Sequence, residues 1–426
     1  MSLGSSFGVS FRFFDRMGCP FSGPIPGKNA FGIEVENAKA SMVGFRELVE
    51  SREYQTFKHP LPVAIGKNIS GEIIVKDLGR MVHCLVAGST GSGKSVFLHS
   101  LIVSLMYKLS PEQLRFIMID PKRVEFSRYN RMPHLMLPEV VTDCSKAVNA
   151  LSWAVKEMER RYELLRLNEC QKLEQFNECS AVKEGREKKL PYLVIVVDEL
   201  AELMGVAAKE AESRIQRITQ LGRAAGIHMV VATQRPSVDV VTGTIKNNLP
   251  TRIAFALASQ VDSQTIINQA GAEKLLGQGD MLLSAQDSNA IVRLQAAYVS
   301  DDEIKKVLNY IKDNNVSVYD EEIQKSIYAE PEKEEVSNDD DSKGGAPTER
   351  EMDEYMPQAL KLVMKNGKAS ISMIQRRFSV GYARAARIID QMETKGFIDS
   401  GLGNKPRDVK ITVAEYNELF GDFDAD

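Results

Sequence analysis

The chain has 426 residues, 43% hydrophobic and 26% charged, with a formal net charge of −4. This is the make-up of an ordinary globular protein of two or three domains at ~150 residues each. No apolar run approaches the ~18–20 residues of a membrane-spanning helix, and Met1 to Pro24 has neither the basic start nor the apolar core of a signal peptide. The five cysteines are scattered without a Cys-x-x-Cys pair, which points away from a metal or redox centre and towards a reducing compartment. Glu330 to Glu354 carries 11 acidic and 3 basic residues, so the rest of the chain is net +4. The acidic total therefore leaves a nucleic-acid partner open.

In chain order, residues 1–24 read as a flexible lead-in. Residues 25–80 hold strand-like pieces at Phe31–Val35, Leu61–Ile65 and Ile73–Val75, with a helix over Gly44–Arg52. They are too few for a core of their own and should pack on the domain after them as an appended subdomain.

Met81–Ala87 is an apolar run of the buried-strand type. Gly88, Ser89, Thr90, Gly91, Ser92, Gly93, Lys94 and Ser95 come next, and Val96–Tyr107 has helical spacing. Strand, glycine-rich loop and helix form the context of a phosphate-binding P-loop. Glycines let successive N–H groups turn inward around phosphates, and the helix N-terminus favours an anion. Lys94 would reach the β- and γ-phosphates of ATP, and Ser95 is a natural Mg²⁺ ligand.

Leu114–Ile119 is a second buried strand, ending in Asp120-Pro121-Lys122, where α/β sheets hold ligands; a plain turn fits the spacing equally well. A long helix is expected from Ser145 to about Gln175, with Glu157, Glu159, Arg160 and Arg161 on solvated faces, then a polar loop over Glu178–Lys189. Tyr192–Val197 with Asp198-Glu199 at its end fits a Walker B strand. Asp198 would hold Mg²⁺, and Glu199 would position or deprotonate the attacking water. A helix begins near Leu200, and Ala211–Leu221 is helical up to Gly222. Arg223 at that end is either a finger reaching a neighbouring subunit or a surface salt bridge. The strand His228–Ala232 leads to Gln234, a candidate reporter of the γ-phosphate. Arg252–Leu257 is a strand, Asp262–Ala270 a helix, and Gly277–Leu283 with Ile291–Ala296 a hairpin. The helix Asp301–Lys312 closes a domain spanning 81–328.

Residues 329–348 are acidic, poor in aliphatics and read as a disordered linker. Within 349–426 the spacing predicts helices over Tyr355–Met364, Ser370–Phe378 and Ala383–Lys395. A wing is expected around Gly401-Leu402-Gly403. This is a winged helix-turn-helix, in which Arg376, Arg377, Arg384 and Arg387 crowd the second and third helices as candidate DNA contacts.

The loop Gly88–Ser95, MIDPK (Met118–Lys122), VVDEL (Val196–Leu200), GRAAGIH (Gly222–His228), ATQRPSVDVVTG (Ala232–Gly243), PTRIAF (Pro250–Phe255) and QAGAEKLLGQGDML (Gln269–Leu282) closely resemble the FtsK/SpoIIIE DNA translocases of bacteria. The stretch Ala369–Glu393 resembles their γ domain. The resemblance implies an α/β, RecA-like P-loop ATPase with a small N-terminal α subdomain and a β subdomain. It also implies assembly as a homo-hexameric ring around double-stranded DNA, and it makes Arg223 the finger acting in trans. The γ module would read short genomic sequences that set direction. Site-specific recombinases or other division proteins are implied partners. Family members commonly carry a preceding membrane anchor; this chain reads as the soluble, cytoplasmic motor with its γ module. Ala383 and Asp390 stand where relatives often have Asn and Glu. Two other classes compete: a conjugative coupling ATPase, and a non-enzymatic winged-helix regulator, against which intact Lys94, Ser95, Asp198 and Glu199 argue.

Overall fold

The computed structural model describes residues 21–24, 31–33, 42–285, 291–328, 353, 355–378, 380, 382–399 and 407–421. The expected linker 329–348, the wing tip at Gly401–Gly403 and nearly all of the lead-in lie outside them. The chain divides into two compact units between residues 335 and 336.

In the first unit, β1 (Phe21–Pro24) and β2 (Phe31–Ile33) form a short antiparallel pair. The remaining strands build one nine-stranded sheet. They are β3 (Pro62–Asn68), β4 (Ile73–Asp77), β5 (Cys84–Ala87), β6 (Leu114–Ile119), β7 (Tyr192–Val197), β8 (Ile227–Thr233), β9 (Thr251–Phe255), β10 (Asp280–Ser284) and β11 (Val292–Ala296). Their order is β4-β3-β11-β10-β9-β5-β8-β7-β6. From β9 to β6 all neighbours are parallel; from β9 outwards to β4 they are antiparallel. The parallel strands are near-continuous apolar runs because both of their faces are covered. Alternate residues accordingly enter opposite cores: Cys84, Val86, Phe116, Met118, Val194 and Val196 on one face, and Leu85, Ala87, Ile117, Ile119, Leu193, Ile195 and Val197 on the other. β3 and β4 lie at one edge of this same sheet. The segment expected as an appended subdomain thus shares the main core, through residues such as Leu61, Val63 and Ile65.

The first core is filled by α1 (Phe45–Glu50), α2 (Lys94–Lys108), which leaves the P-loop, and α7 (Asp301–Asn314). The second is covered by α3 (Cys144–Leu167), α4 (Leu200–Leu221), α5 (Gly243–Asn248), α6 (Gln260–Ile267) and α8 (Glu321–Tyr328). Three expectations need correction. α3 stops at Leu167, well short of Gln175, and the chain turns at Glu169 with a φ of 53° before a separate short helix, Leu173–Asn177. The unit does not close with α7: α8 comes after it, with Ile327 fully buried against the second core. Arg161, expected on a solvated face, is 3% exposed. Its Nε donates to Glu157 Oε1 at 2.7 Å, and its Nη1 donates to the carbonyls of Pro191 and Ala225, each at 2.9 Å. The helix periodicity placed it beside Glu157; only the fold brings up the two carbonyls that satisfy a buried guanidinium.

The second unit has its own core, built on Leu360, Val363, Ile374, Ile388, Ile389 and Met392. Helices α9 (Met356–Asn366), α10 (Ile371–Phe378) and α11 (Tyr382–Thr394) match the three expected. β12 (Lys368–Ala369) pairs antiparallel with β13 (Arg407–Asp408), and Ile398 bridges Val409. A further helix, α12 (Val413–Phe420), lies beyond the expected elements. It starts on a capping box, Thr412 with Glu415, and buries Tyr416.

Candidate functional site

The P-loop leaves the carboxyl end of β5 and is tied down on both sides. Ser89 N–H and its hydroxyl both donate to the carbonyl of Ala256, at 3.0 and 2.8 Å, and Gly88 N–H donates to Thr233 O at 3.3 Å. Two glycines are sterically required. Gly93 has a φ of 107°, and a Cβ there would meet Gly279 N at 2.5 Å; a Cβ on Gly88 would meet Ser92 Oγ at 2.5 Å and Phe255 Cβ at 2.8 Å.

Lys94 opens α2 and is 3% exposed. Its Nζ donates to Asp198 Oδ1 at 2.8 Å and to the Asp198 carbonyl at 2.9 Å. The Walker-type lysine and aspartate thus meet across the sheet. Burial raises the Asp198 carboxyl above its ordinary value, against the pull of Lys94. Ser95 Oγ donates to Glu125 Oε1 at 2.8 Å. Glu125 sits on the loop after β6, and no sequence motif marked it. His99, 3.6 Å away, and then Ser95 hold its carboxyl down at about 2 against the opposing effect of burial. Asp120 is buried, and its Oδ2 accepts the backbone N–H groups of Glu125 and Phe126, both at 2.9 Å. That pair of bonds shapes the loop that presents Glu125.

Glu199 is fully buried at the end of β7. Thr233 Oγ1 donates to its Oε1 at 2.7 Å, Lys122 Nζ to its Oε2 at 3.0 Å, and Gln234 N–H to both oxygens at 3.2 and 3.3 Å. Burial alone would raise its pKa, but the bonds from Thr233 and Lys122 hold it below the usual glutamate value. The Gln234 side chain accepts from Thr90 Oγ1 at 3.2 Å, so it joins the P-loop to β8. The polar cluster at the end of β6 is therefore part of the site. Its sequence signal was its position at a strand's carboxyl end.

Asp198 Oδ2 and Asp120 Oδ1 are buried and make no hydrogen bond. They and the Ser95 hydroxyl are hard oxygens, the donor type that a small divalent cation takes. Among the described residues no three His, Cys, Asp or Glu side chains form a metal cage. A donor set of this size suits Mg²⁺, which binds through one or two carboxylates plus substrate phosphates. Arg223 is exposed and lies before the start of β8, whereas Gln234 lies past its end. At ~3.3 Å per residue the strand separates them by roughly 20 Å, so Arg223 is not a member of its own subunit's phosphate site.

A model of the FtsK/SpoIIIE family matches residues 45–238, and a model of the Ftsk gamma domain matches residues 350–412. The DNA translocase FtsK of Haemophilus influenzae is 46% identical over 413 residues, covering 92% of this chain and 76% of that protein. This chain belongs to the FtsK/SpoIIIE family.

The FtsK of Caldanaerobacter subterraneus is 47% identical over 396 residues, covering 93% of this chain and 53% of that protein. The translocase SftA of Bacillus subtilis is 48% identical, covering 92% and 39%. The chain thus spans about half the length, or less, of these two curated relatives. The solved structure of the pCW3 conjugation coupling protein TcpA, in its monomer form with ATPγS, superposes with a TM-score of 0.55 at 26% identity, over 73% of this chain and 87% of that one. The cytoplasmic domain of the type VII secretion ATPase EccC of Thermomonospora curvata gives 0.56 at 24% identity, over 68% and 36%, and shares the fold. Membership of this P-loop family implies ATP binding. No described helix is long and apolar enough to cross a membrane.

In the FtsK-type γ module, Arg376, Arg377 and Arg387 are exposed. Arg384 is engaged within the module: its Nε and Nη2 donate to Asp353 Oδ2 and Oδ1 at 3.0 and 3.1 Å, and its guanidinium lies 4.6 Å from the centre of the Tyr355 ring. Arg407 is paired with Glu393.

Proposed function

We propose that this chain is an ATP-driven translocase of double-stranded DNA, serving chromosome segregation at division or sporulation in the cytoplasm. The observation that carries the reading is the convergence of Lys94, Asp198 and Glu199 at the carboxyl ends of the parallel strands, in a chain whose relatives are named DNA translocases. Lys94 would pass from Asp198 to the β- and γ-phosphates, exchanging one anionic partner for another. Ser95 and Asp198 would hold Mg²⁺, which when bound neutralises charge on the phosphate oxygens. Glu199 would orient the attacking water and take its proton. Gln234, bonded to Thr90 on the P-loop, would register whether the γ-phosphate is present. Arg223, exposed and remote from its own P-loop, would complete the site of the next subunit in a homo-hexameric ring around the duplex. Arg376, Arg377 and Arg387 of the γ module would contact DNA and set direction; recombinases and other division proteins are partners by family likeness.

The decisive experiment is ATP hydrolysis with and without long duplex DNA. Lys94→Ala should abolish it. Glu199→Ala should bind nucleotide and fail to turn over. Wild-type turnover in Glu199→Ala would remove that residue from the mechanism. The likeness to TcpA keeps a second reading, conjugative coupling, in view. Stimulation by single-stranded but not duplex DNA would favour it; the γ-domain match favours the duplex.

A further inference from the structure

Three donors engage both oxygens of the Glu199 carboxylate. A carboxylate offers about four lone-pair positions. Thr233 Oγ1 takes Oε1, Lys122 Nζ takes Oε2, and the Gln234 N–H reaches both. A water approaching this carboxylate competes with those donors for both oxygens, and their bonds weaken it as a base. The three partners differ in how easily they leave. Thr233 is a fully buried strand residue, and the Gln234 N–H is fixed by the backbone at the end of β8. Lys122 sits on the loop after β6, with its side chain 35% exposed on a flexible stem. It is also a cation, and an incoming triphosphate is a competing anion with more charge than Glu199 can offer. The link from Thr90 to Gln234 gives the phosphate loop a second handle on the same carboxylate.

We propose that Lys122 is a positioning residue that holds Glu199 closed to water until a nucleoside triphosphate in the P-loop draws it away. The inference rests on the reading of this site as an ATP-hydrolysing centre. The bonded arrangement then acts as a brake, limiting turnover when the phosphates are not fully seated. Release of Lys122 leaves Thr233 and Gln234 to aim the freed carboxylate.

Three variants test this in the full chain. Lys122→Met keeps the aliphatic stem and removes the ammonium; Lys122→Arg keeps the charge. Steady-state hydrolysis is measured without and with duplex DNA, and binding of a fluorescent ATP analogue by titration. Lys122→Met should raise DNA-independent turnover about two- to five-fold, the range set by a partly solvated ion pair. KM and analogue affinity should change by no more than about three-fold, because the ammonium only exchanges one anionic partner for another, and Lys122→Arg should restore the low basal rate. Lys122→Gln, which retains a donor without the charge, should show a smaller rise and guards against a folding defect peculiar to the methionine. Turnover at or below wild type in both neutral variants, with analogue binding intact, overturns the proposal. So does a large loss of analogue affinity, which would make Lys122 a phosphate ligand instead. If wild type hydrolyses no ATP with or without DNA, the hydrolysis reading itself fails. If wild type is active and Lys122→Met shows no rise, only the brake fails.

Discussion

Replacing Arg161 by Met tests whether a buried guanidinium away from the P-loop holds the first unit together. Arg161 is 3% exposed and ties three segments: Glu157 on α3, the Pro191 carbonyl before β7 and the Ala225 carbonyl before β8. Met fills the stem's volume, so packing is largely kept. The buried Ala225 carbonyl and the half-buried Pro191 carbonyl lose their donor, at about 1–3 kcal/mol for each, with Pro191 at the low end. Glu157 keeps its bidentate partner Arg160, at 2.7 and 2.9 Å, which limits its share of the loss. The sum is about 2–6 kcal/mol, a range that spans the cost of breaking a buried ion pair from one side. Urea denaturation of the 1–335 unit, monitored by circular dichroism, should show a lower midpoint at unchanged slope. Because Ala225 lies two residues from Arg223, the variant should also hydrolyse ATP more slowly in assembled rings while binding nucleotide normally. A loss below about 1 kcal/mol would refute the reasoning, since the carbonyls would then be satisfied by other means.

Arg223→Ala should bind ATP and hydrolyse it poorly, and mixing it with Glu199→Ala should partly restore activity; co-assembled rings with no restoration would remove the trans role. Arg387→Ala should weaken binding of a preferred duplex by the γ module by about 1–3 kcal/mol at fixed salt, with relaxed sequence preference if it reads a base edge. Arg384→Ala should instead lower the module's melting temperature, because its side chain is spent on Asp353 and Tyr355. Burial opposes the ionised form of Asp353, but the bonds from Arg384 lower its pKa overall. A depressed carboxylate contributes stability above the ordinary value of 3.8 and loses it as pH falls through the folded value. Asp353→Asn should therefore destabilise the module at neutral pH by about 1 kcal/mol, discounted for the partly exposed arginine. The difference should shrink as pH falls below the ordinary value of 3.8 and the carboxylate is protonated, as thermal melts of the two proteins at neutral and acid pH would show.

Features encoded over a few residues were legible from the amino-acid order alone. The apolar runs of β5 to β8 announce strands buried on both faces, and the P-loop and the Asp198-Glu199 ending announce a nucleotide site. Three amphipathic segments with a cluster of arginines announce a winged helix. These signals are local because strand and helix periods repeat within two to four residues. Everything that depends on distant segments meeting came from the packed fold. It brought Lys94 to Asp198, Lys122 to Glu199 and Ser95 to Glu125. It turned Arg161 from a surface charge into a buried tie and gave the candidate reader Arg384 a partner in Asp353. It joined β3 and β4 to the sheet that carries the P-loop and docked α8 on α3. A charged side chain looks the same in sequence whether it faces water or a partner. Its role is set by which carbonyls and carboxylates the packed sheet brings within reach, since a buried charge persists only where such partners compensate its lost hydration.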